Sequence, residues 1–311
     1  MTFGYQCDEP TSVSILNTAF ENGVTFIDTA DAYPLGGPRE VLGSTEEILG
    51  RWLATVGRDN VILATKCYYP SGPNRWDFGS SRKNIMRAID ASLRRLDTDY
   101  IDLYQLHSWD ADTPIDESLG ALDDLVRSGK VRYIGCSNFV AYQIARSLGR
   151  SEVLRAASFV SVQPRYNLLY REIEREMLPM CLSERLAVIP YNPIAGGMLS
   201  GKHRFDDGPT QGSRFTLGNA AERYQGRYWR ESLFNTVADL KAVADEAGMS
   251  LVQMSVAWTL ANPAITAPII GASRPEQLAE SLAAASAPLD AELKAKLDSM
   301  TAQYRLVEIS R

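Results

Sequence analysis

The chain has 311 residues, of which 45% are hydrophobic, and its formal net charge is −6. This length allows a large core, and no linker-like stretch divides it, so we predict one domain over residues 1–311. The negative charge disfavours binding to nucleic acid or to anionic lipid through a basic surface. The sequence has no apolar run of membrane-spanning length and no signal-peptide pattern at its start, and we therefore expect a soluble, cytoplasmic protein.

The cysteines and histidines argue against a metal centre. His107 and His203 are the only histidines in the sequence, too few for a histidine-rich catalytic site, although carboxylates could still hold magnesium. We expect no metal ion. The four cysteines are scattered without a C-x-x-C pair, a pattern typical of reduced thiols: Cys7, Cys67, Cys136 and Cys181.

Predicted helices and strands alternate along the first half of the chain. Apolar residues at helical spacing, bounded by capping residues and glycines, predict helices over 8–22, 44–56, 81–96, 113–129 and 141–148. Short β-branched and apolar runs predict buried strands over 24–28, 60–66, 101–107, 131–137 and 159–163.

The second half is less regular. We predict a helix over 171–185, a strand over 186–191, helices over 231–247 and 250–261, a last strand over 266–271 and closing helices over 275–284 and 290–302. Residues 192–230 form a long Gly- and Arg-rich connection without a clear period. Connections of that length inside a compact domain are usually functional loops.

This alternation predicts parallel strands joined by right-handed crossovers, as in a (β/α)8 TIM barrel of the α/β class. The sequence supplies seven candidate strands, and only residues 1–4 precede the first helix. Either these residues are the tail of a first strand truncated at the N-terminus, or the sheet is open.

Four polar residues lie at or just beyond three successive predicted strand ends. Asp28 ends the first strand and Tyr33 follows five residues later, while Lys66 and His107 end the next two strands. Barrel enzymes place their chemistry at this end of the strands. Singly, each residue could be an ordinary core residue or part of an ion pair; together they predict a catalytic site.

Three nucleotide or hydrolase motifs are incomplete. The segment 196–202, GGMLSGK, fits the start of a P-loop, but His203 follows where Ser or Thr would hold Mg²⁺. The segment 135–139, GCSNF, lacks the second glycine of a serine hydrolase elbow. No G-x-G-x-x-G follows a predicted strand, which disfavours a Rossmann domain and leaves other routes to nicotinamide binding open.

Seven segments together resemble the aldo-keto reductase superfamily over nearly the whole chain. They are FIDTADAY at 26–33, ATK at 64–66, LYQLH at 103–107, GKVRYIGCSNF at 129–139, VQPRYN at 162–167, PYNPIAGG at 190–197 and IGAS at 270–273. The resemblance implies a (β/α)8 barrel that binds NADPH in extended form at its C-terminal face and reduces carbonyl groups.

The resemblance also assigns roles to residues. Tyr33 matches the general acid, Lys66 and Asp28 its tuning pair, and His107 the group that orients the carbonyl. Ser137, Asn138 and Gln163 match positions that hold the nicotinamide amide, and Tyr191 the aromatic ring on which the nicotinamide stacks. Six positions resemble the family's pyrophosphate clamp: Asn192, Ile194, Gly196, Lys202, Ser213 and Arg214. Four positions resemble the part of the family's cofactor site that binds the 2′-phosphate and the adenine: Ser273, Arg274, Gln277 and Glu280.

These roles agree with the chemistry of carbonyl reduction. The alkoxide left by hydride transfer needs a proton, and a phenol with its ordinary pKa of about 10 is a poor donor near neutral pH. We expect a buried Lys66 to favour the Tyr33 phenolate, and Asp28 to keep Lys66 charged. The alternative is a cofactor-binding sensor or accessory subunit with little turnover. The sequence leaves the carbonyl substrate and the oligomeric state open.

Overall fold

The computed structural model describes residues 1–306, which fall into two compact units. The first unit is Met1–Gln163, and the second unit begins at Pro164. The single domain over residues 1–311 stays a prediction.

The first unit contains five α-helices, five strands and two short 3₁₀ turns, Arg39–Val41 and Arg58–Asn60. The helices are α1 (Glu9–Glu21), α2 (Ser44–Val56), α3 (Arg82–Leu96), α4 (Ile115–Arg127) and α5 (Ala141–Leu154). Two begin at the side-chain caps that their sequences supply, because Asp8 accepts a hydrogen bond from the Thr11 amide and Ser81 accepts one from the Asn84 amide.

The strands of the first unit are β1 (Phe26–Asp28), β2 (Ile62–Cys67), β3 (Ile101–Leu106), β4 (Val131–Ser137) and β5 (Phe159–Gln163). They pair in parallel in chain order, with Asp28 opposite Ala64 and Lys66 opposite Gln105. Nearly all of β2 is buried. Because the strands are parallel, their C-terminal ends lie along one edge of the sheet.

The predicted first-strand remnant, residues 1–4, forms only an isolated bridge. Phe3 pairs with Cys7, and no strand precedes α1 in the part of the chain that the structure describes. The segment is held in the first unit because the Phe3 carbonyl accepts from the Thr45 hydroxyl at 2.7 Å, and the Met1 carbonyl accepts from the Leu35 amide at 2.9 Å.

The second unit is mainly helical. It contains the short strand β6 (Ala187–Val188) and the helices α6 (Met177–Ser183), α7 (Ala221–Tyr228), α8 (Glu231–Glu246), α9 (Leu251–Leu260), α10 (Leu278–Ser286) and α11 (Ala291–Met300). Val256 and Ala257 of α9 pack against Ala284 of α10, and Ile194 packs beside them. Within residues 1–306 no helix is both long and apolar enough to cross a bilayer.

Four predictions for the second unit were wrong in detail. The strand predicted over 186–191 is shortened to Ala187–Val188. Residues 266–271 form a single bridge, Ile269 to Tyr191, instead of a strand, since Pro268 has no amide hydrogen to donate. The connection 192–230 contains 3₁₀ turns and α7, whose sequence is mostly polar and buries only Tyr224 and Tyr228. The helix predicted over 171–185 is divided into a 3₁₀ turn, Glu172–Glu174, and α6.

The α/β class is confirmed. Helices alternate with parallel strands throughout the first unit, which is the repeating pattern of (β/α)8 barrel enzymes.

Candidate active site

A buried ion pair lies at the C-terminal edge of the first unit's sheet. The Lys66 ammonium donates to Asp28 Oδ1 and, at 2.7 Å, to the Thr29 carbonyl. The Lys66 side chain is fully buried. Burial lowers the pKa of Lys66, while the negative charges of Asp28, Asp31 and Glu46 oppose this shift. The surrounding carboxylates therefore favour the charged form of a lysine that solvent does not reach.

Two amide side chains hold the other oxygen of Asp28. Gln105 Nε2 donates to Asp28 Oδ2 at 3.1 Å, and Gln163 Nε2 donates to the same oxygen at 2.8 Å. Both carboxylate oxygens of Asp28 thus accept hydrogen bonds from the ends of other strands. This fixes the carboxylate in one orientation beneath Lys66, and such preorganisation is what a residue that controls a neighbour's charge requires.

Tyr33 and His107 lie beside this pair. The Lys66 ammonium is 5.3 Å from the centre of the Tyr33 ring, and the Tyr33 and His107 ring centres are 5.8 Å apart in an edge-on arrangement. The Tyr69 ring also contacts the His107 ring, with ring centres 4.8 Å apart. The structure therefore brings together all four residues predicted to be catalytic.

Ser137 and Asn138 connect the neighbouring strand ends. The Ser137 hydroxyl donates to the Gln163 carbonyl at 2.8 Å. Asn138 Nδ2 donates to the His107 carbonyl at 2.9 Å and to Ser137 Oγ at 3.0 Å. Asn138 has a φ of 57°, a left-handed conformation that Asn adopts more readily than most residues. Ser137, Asn138 and Gln163, predicted to hold the nicotinamide amide, lie at the same sheet edge as the four residues predicted to be catalytic.

In the second unit, the predicted stacking residue is fixed by backbone pairing. The Tyr191 amide donates to the Pro164 carbonyl at 2.9 Å, and Tyr191 also bridges Ile269. Burial raises the pKa of the Tyr191 phenol, so this side chain is neutral near pH 7. The next residue, Asn192, has a φ of 61°, and its buried Nδ2 has no hydrogen-bond partner within residues 1–306.

A glycine turn follows in the predicted pyrophosphate clamp. Ala195, Gly196 and Gly197 all have positive φ values, from 51° to 105°. A Cβ atom on Gly196 would lie 2.6 Å from the Tyr224 ring. Successive residues in such conformations can form concavities that bind anions through backbone amides. Arg214 lies over the same Tyr224 ring at 5.5 Å, and its buried Nη1 has no partner among the described residues.

The other predicted clamp and 2′-phosphate residues lie in the second unit as follows. Ile194 packs in the α9–α10 core, and Ser213 caps the turn Arg214–Thr216. The Ser273 amide and hydroxyl both donate to Gln277 Oε1, at 2.9 and 3.1 Å. Three of the remaining predicted side chains are exposed: Lys202, Arg274 and Glu280.

Sequence reasoning missed four residues near the ion pair. Gln105 donates a hydrogen bond to Asp28, and Tyr69 contacts His107. The buried carboxyls of Asp31 and Glu46 act electrostatically on Lys66. Gln105 could have been found, since it is a polar residue inside a strand predicted to be buried. Glu46 gave no signal, because an acidic residue in the first turn of a helix is ordinarily exposed.

The fold and the site define a member of the aldo/keto reductase family. The sequence profile of that family matches residues 1–302, and the chain belongs to it. Membership and the names of its relatives support an oxidoreductase that acts on carbonyl groups.

Three curated relatives illustrate the range of the family around this chain. An uncharacterized oxidoreductase, YrpG, of Bacillus subtilis is 38% identical over 96% of this chain and 90% of its own length. A probable voltage-gated potassium channel subunit beta of Arabidopsis thaliana is 35% identical over 91% of this chain and 84% of its own. The versiconal hemiacetal acetate reductase of Aspergillus parasiticus is 33% identical over 93% of this chain and 86% of its own.

Proposed function

We propose that this protein uses NADPH to reduce an aldehyde or a ketone to an alcohol, with Tyr33 as the proton donor. The observation that carries the proposal is the fully buried Lys66, held by Asp28 and placed 5.3 Å from the centre of the Tyr33 ring. The His107 ring centre lies 5.8 Å from that of Tyr33. A cation buried next to a phenol is an arrangement suited to acid catalysis.

Each residue of the group has a distinct task in this reaction. When bound, the nicotinamide supplies the hydride. Tyr33 gives its phenolic proton to the oxygen of the carbonyl group as that oxygen gains negative charge. Lys66 stabilises the phenolate left on Tyr33, and Asp28 holds the ammonium in place. His107, whose ring centre lies 5.8 Å from that of Tyr33, orients the carbonyl in this proposal by donating a hydrogen bond to the same oxygen.

The chain's donors fit the cofactor. In the first unit, Ser137, Asn138 and Gln163 supply hydroxyl and amide groups of the kind that recognise a carboxamide. In the second unit, buried donors on Asn192 and Arg214 lack partners within residues 1–306, beside the positive-φ turn at Gly196. Donors of this kind suit a pyrophosphate. Tyr191 offers a neutral ring for stacking.

We assign the remaining predicted residues to the phosphate and adenine parts of the cofactor, and the 2′-phosphate assignment is the reason for proposing NADPH over NADH. Lys202 and Ser213 belong to the loop that carries Arg214, and we assign them to the pyrophosphate with Ile194 supporting the turn. The 2′-phosphate and the adenine are assigned to Ser273, Arg274, Gln277 and Glu280. Arg274 is the exposed cation of this group and the natural partner of a phosphate dianion. The test is a comparison of the dissociation constants of NADPH and NADH by fluorescence, with NADPH binding tighter.

The decisive experiment follows NADPH consumption with a panel of aromatic and aliphatic aldehydes and ketones. We expect Tyr33→Phe to lower kcat by about 10²- to 10⁴-fold, the range for loss of a general acid, with an unchanged dissociation constant for NADPH. Tyr133→Phe is the matched control, because Tyr133 is 60% exposed in the same unit. If Tyr33→Phe turns over as fast as the parent, the proton-donor role is wrong.

A second candidate function is an NADPH-binding sensor or accessory subunit with little turnover. The observation that favours it is the similarity to two probable voltage-gated potassium channel beta subunits, from Arabidopsis thaliana and Oryza sativa subsp. japonica. Tight NADPH binding without measurable turnover across the whole carbonyl panel would support this candidate. Turnover that depends on Tyr33 would reject it.

A further inference from the structure

A second carboxyl group lies buried behind the ion pair. Asp31 is 1% exposed, and its backbone amide donates to the Lys66 carbonyl at 3.1 Å. It forms no salt bridge among the described residues, and neither of its carboxylate oxygens meets the geometry of a hydrogen bond there. A buried carboxyl group without a fixed donor is unusual and calls for a functional explanation.

The buried carboxyl beside it is held quite differently. Glu46 Oε1 accepts from the Thr65 hydroxyl at 2.6 Å, and Glu46 Oε2 accepts from Arg95 Nε at 2.8 Å. Both carboxylate oxygens of Glu46 therefore have hydrogen-bond donors. Of the three carboxyls that act on Lys66, Asp28 and Glu46 each accept hydrogen bonds from several donors, whereas neither oxygen of Asp31 has a partner in the hydrogen-bond geometry of residues 1–306.

We propose that Asp31 is a positioning residue for the proposed reduction, whose buried carboxyl group controls how strongly Lys66 acts on Tyr33. When Asp31 is neutral, two carboxyls, Asp28 and Glu46, oppose the field of Lys66 at the phenol. When Asp31 is ionised, a third negative charge cancels part of that field, and Tyr33 holds its proton more tightly. The inference rests on the proposed function of Tyr33.

The surroundings place this change near neutral pH. Burial, and then the charge of Glu46, raise the pKa of Asp31 to about 7, while the Ser71 hydroxyl, Arg95 and Arg87 offset the shift in part. Arg87 is paired with Asp77 at 3.0 Å. The remaining titratable neighbours do not compete in this range, because burial raises the pKa of the Cys67 thiol to about 12 and that of Tyr104 well above its usual value.

The direction of the pH effect follows from these charges. As pH rises through about 7, Asp31 ionises and kcat for carbonyl reduction falls. Asp31→Asn nearly preserves the shape of the side chain but cannot acquire the negative charge. We therefore expect this variant to retain its low-pH kcat at higher pH, with a descending limb shifted up by about one pH unit or more. At about pH 8.5 its kcat should exceed that of the parent by threefold or more, roughly half a pKa unit of effect.

A stability measurement tests the same ionisation without turnover. The folded-state pKa of Asp31 lies above its ordinary value of 3.8, so its contribution to stability is complete below about 3.8 and is lost as pH rises to about 7. The difference in Tm between Asp31→Asn and the parent should therefore widen from acidic pH up to about 7 and stay constant above it. Asp99→Asn, an exposed change in the same unit, should show no such pattern.

The two assays separate failure of this inference from failure of the proposed function. If Tyr33→Phe abolishes turnover but Asp31→Asn has the pH profile of the parent, the role of Asp31 is wrong and the proposed function stands. If Tyr33→Phe is fully active, the proposed function fails, and this inference fails with it, whatever the Tm data show.

A second variant covers the case in which Asp31→Asn does not fold. Ser71→Ala removes a partly exposed hydroxyl that lowers the pKa of Asp31, and should move the descending limb of kcat to higher pH. An unmoved limb in Ser71→Ala would overturn the inference.

Discussion

The ion-pair centre in the first unit and the glycine turn in the second unit are built on opposite plans. Around Asp28 and Lys66 the chain supplies the partners itself, with Gln105 and Gln163 completing the carboxylate. Around Gly196 the buried donors of Asn192 and Arg214 lack partners among the described residues. A centre that tunes a proton must be rigid in advance, whereas donors that serve a ligand are satisfied by that ligand.

The largest effect that tests this comparison is expected from Lys66→Met. It removes the cation from the Tyr33 ring and leaves Asp28 as an unpaired buried charge. We expect kcat to fall by about 10²- to 10⁴-fold and the free energy of unfolding to fall by about 3–5 kcal/mol. Steady-state kinetics and urea unfolding measure the two losses.

The double variant Asp28→Asn with Lys66→Met is the control for that experiment. It removes both buried charges, so much of the lost stability should return while kcat stays low. Equal stability of the single and double variants would show that Asp28 does not depend on Lys66 for its burial.

The next effect tests the donors of the second unit. Arg214→Met should weaken the binding of NADPH and NADH by a similar factor, about 10- to 100-fold, since it removes the charged donor that we propose for the pyrophosphate, a group that both cofactors share. Arg274→Met should weaken NADPH and leave NADH unchanged. Fluorescence titration of both cofactors measures this. Selective loss of NADPH in Arg214→Met would move Arg214 to the 2′-phosphate.

A smaller effect is expected at the glycine turn itself. Gly196→Ala places a Cβ atom 2.6 Å from the Tyr224 ring at a φ of 69°, and should lower the free energy of unfolding by about 1–3 kcal/mol. Gly212→Ala has a similar φ of 73° and open space around the added methyl group. The difference between the two variants in thermal unfolding isolates the steric contact from the backbone strain, and equal losses would mean that the Tyr224 ring moves aside.

The smallest effect is expected at an exposed ion pair, which serves as the reference for the buried pair of Lys66 and Asp28. Arg51 and Glu9 form a two-pronged ion pair at 2.6 and 2.9 Å, but about half of each side chain is exposed. Arg51→Ala should change the free energy of unfolding by about 0.5 kcal/mol or less, because solvent screens the interaction. A loss as large as that of Lys66→Met would contradict the view that burial sets the difference.

The sequence predicted the first unit better than the second. Its strands are apolar runs bounded by glycines and capped helices, and all five strands and four of the five α-helices were found within a few residues. The helix predicted over 141–148 continues to Leu154. In the second unit the local signals are weak. The helix Ala221–Tyr228 buries only two tyrosines one turn apart, and the segment 266–271 reads as a strand although Pro268 interrupts its pairing.

The sequence by itself determined the family, the parallel strand–helix repeat and the identity of the four polar residues at the strand ends, because these depend on local patterns and on residue types at fixed positions. Only the tertiary structure decided what surrounds them. That Gln105 and Gln163 hold Asp28, and that Asp31 and Glu46 lie buried beside Lys66, depends on strand register and helix packing, which bring together side chains far apart in the chain. The shifts in the pKa of Lys66 and of Asp31 follow mainly from that burial, which the sequence pattern does not encode.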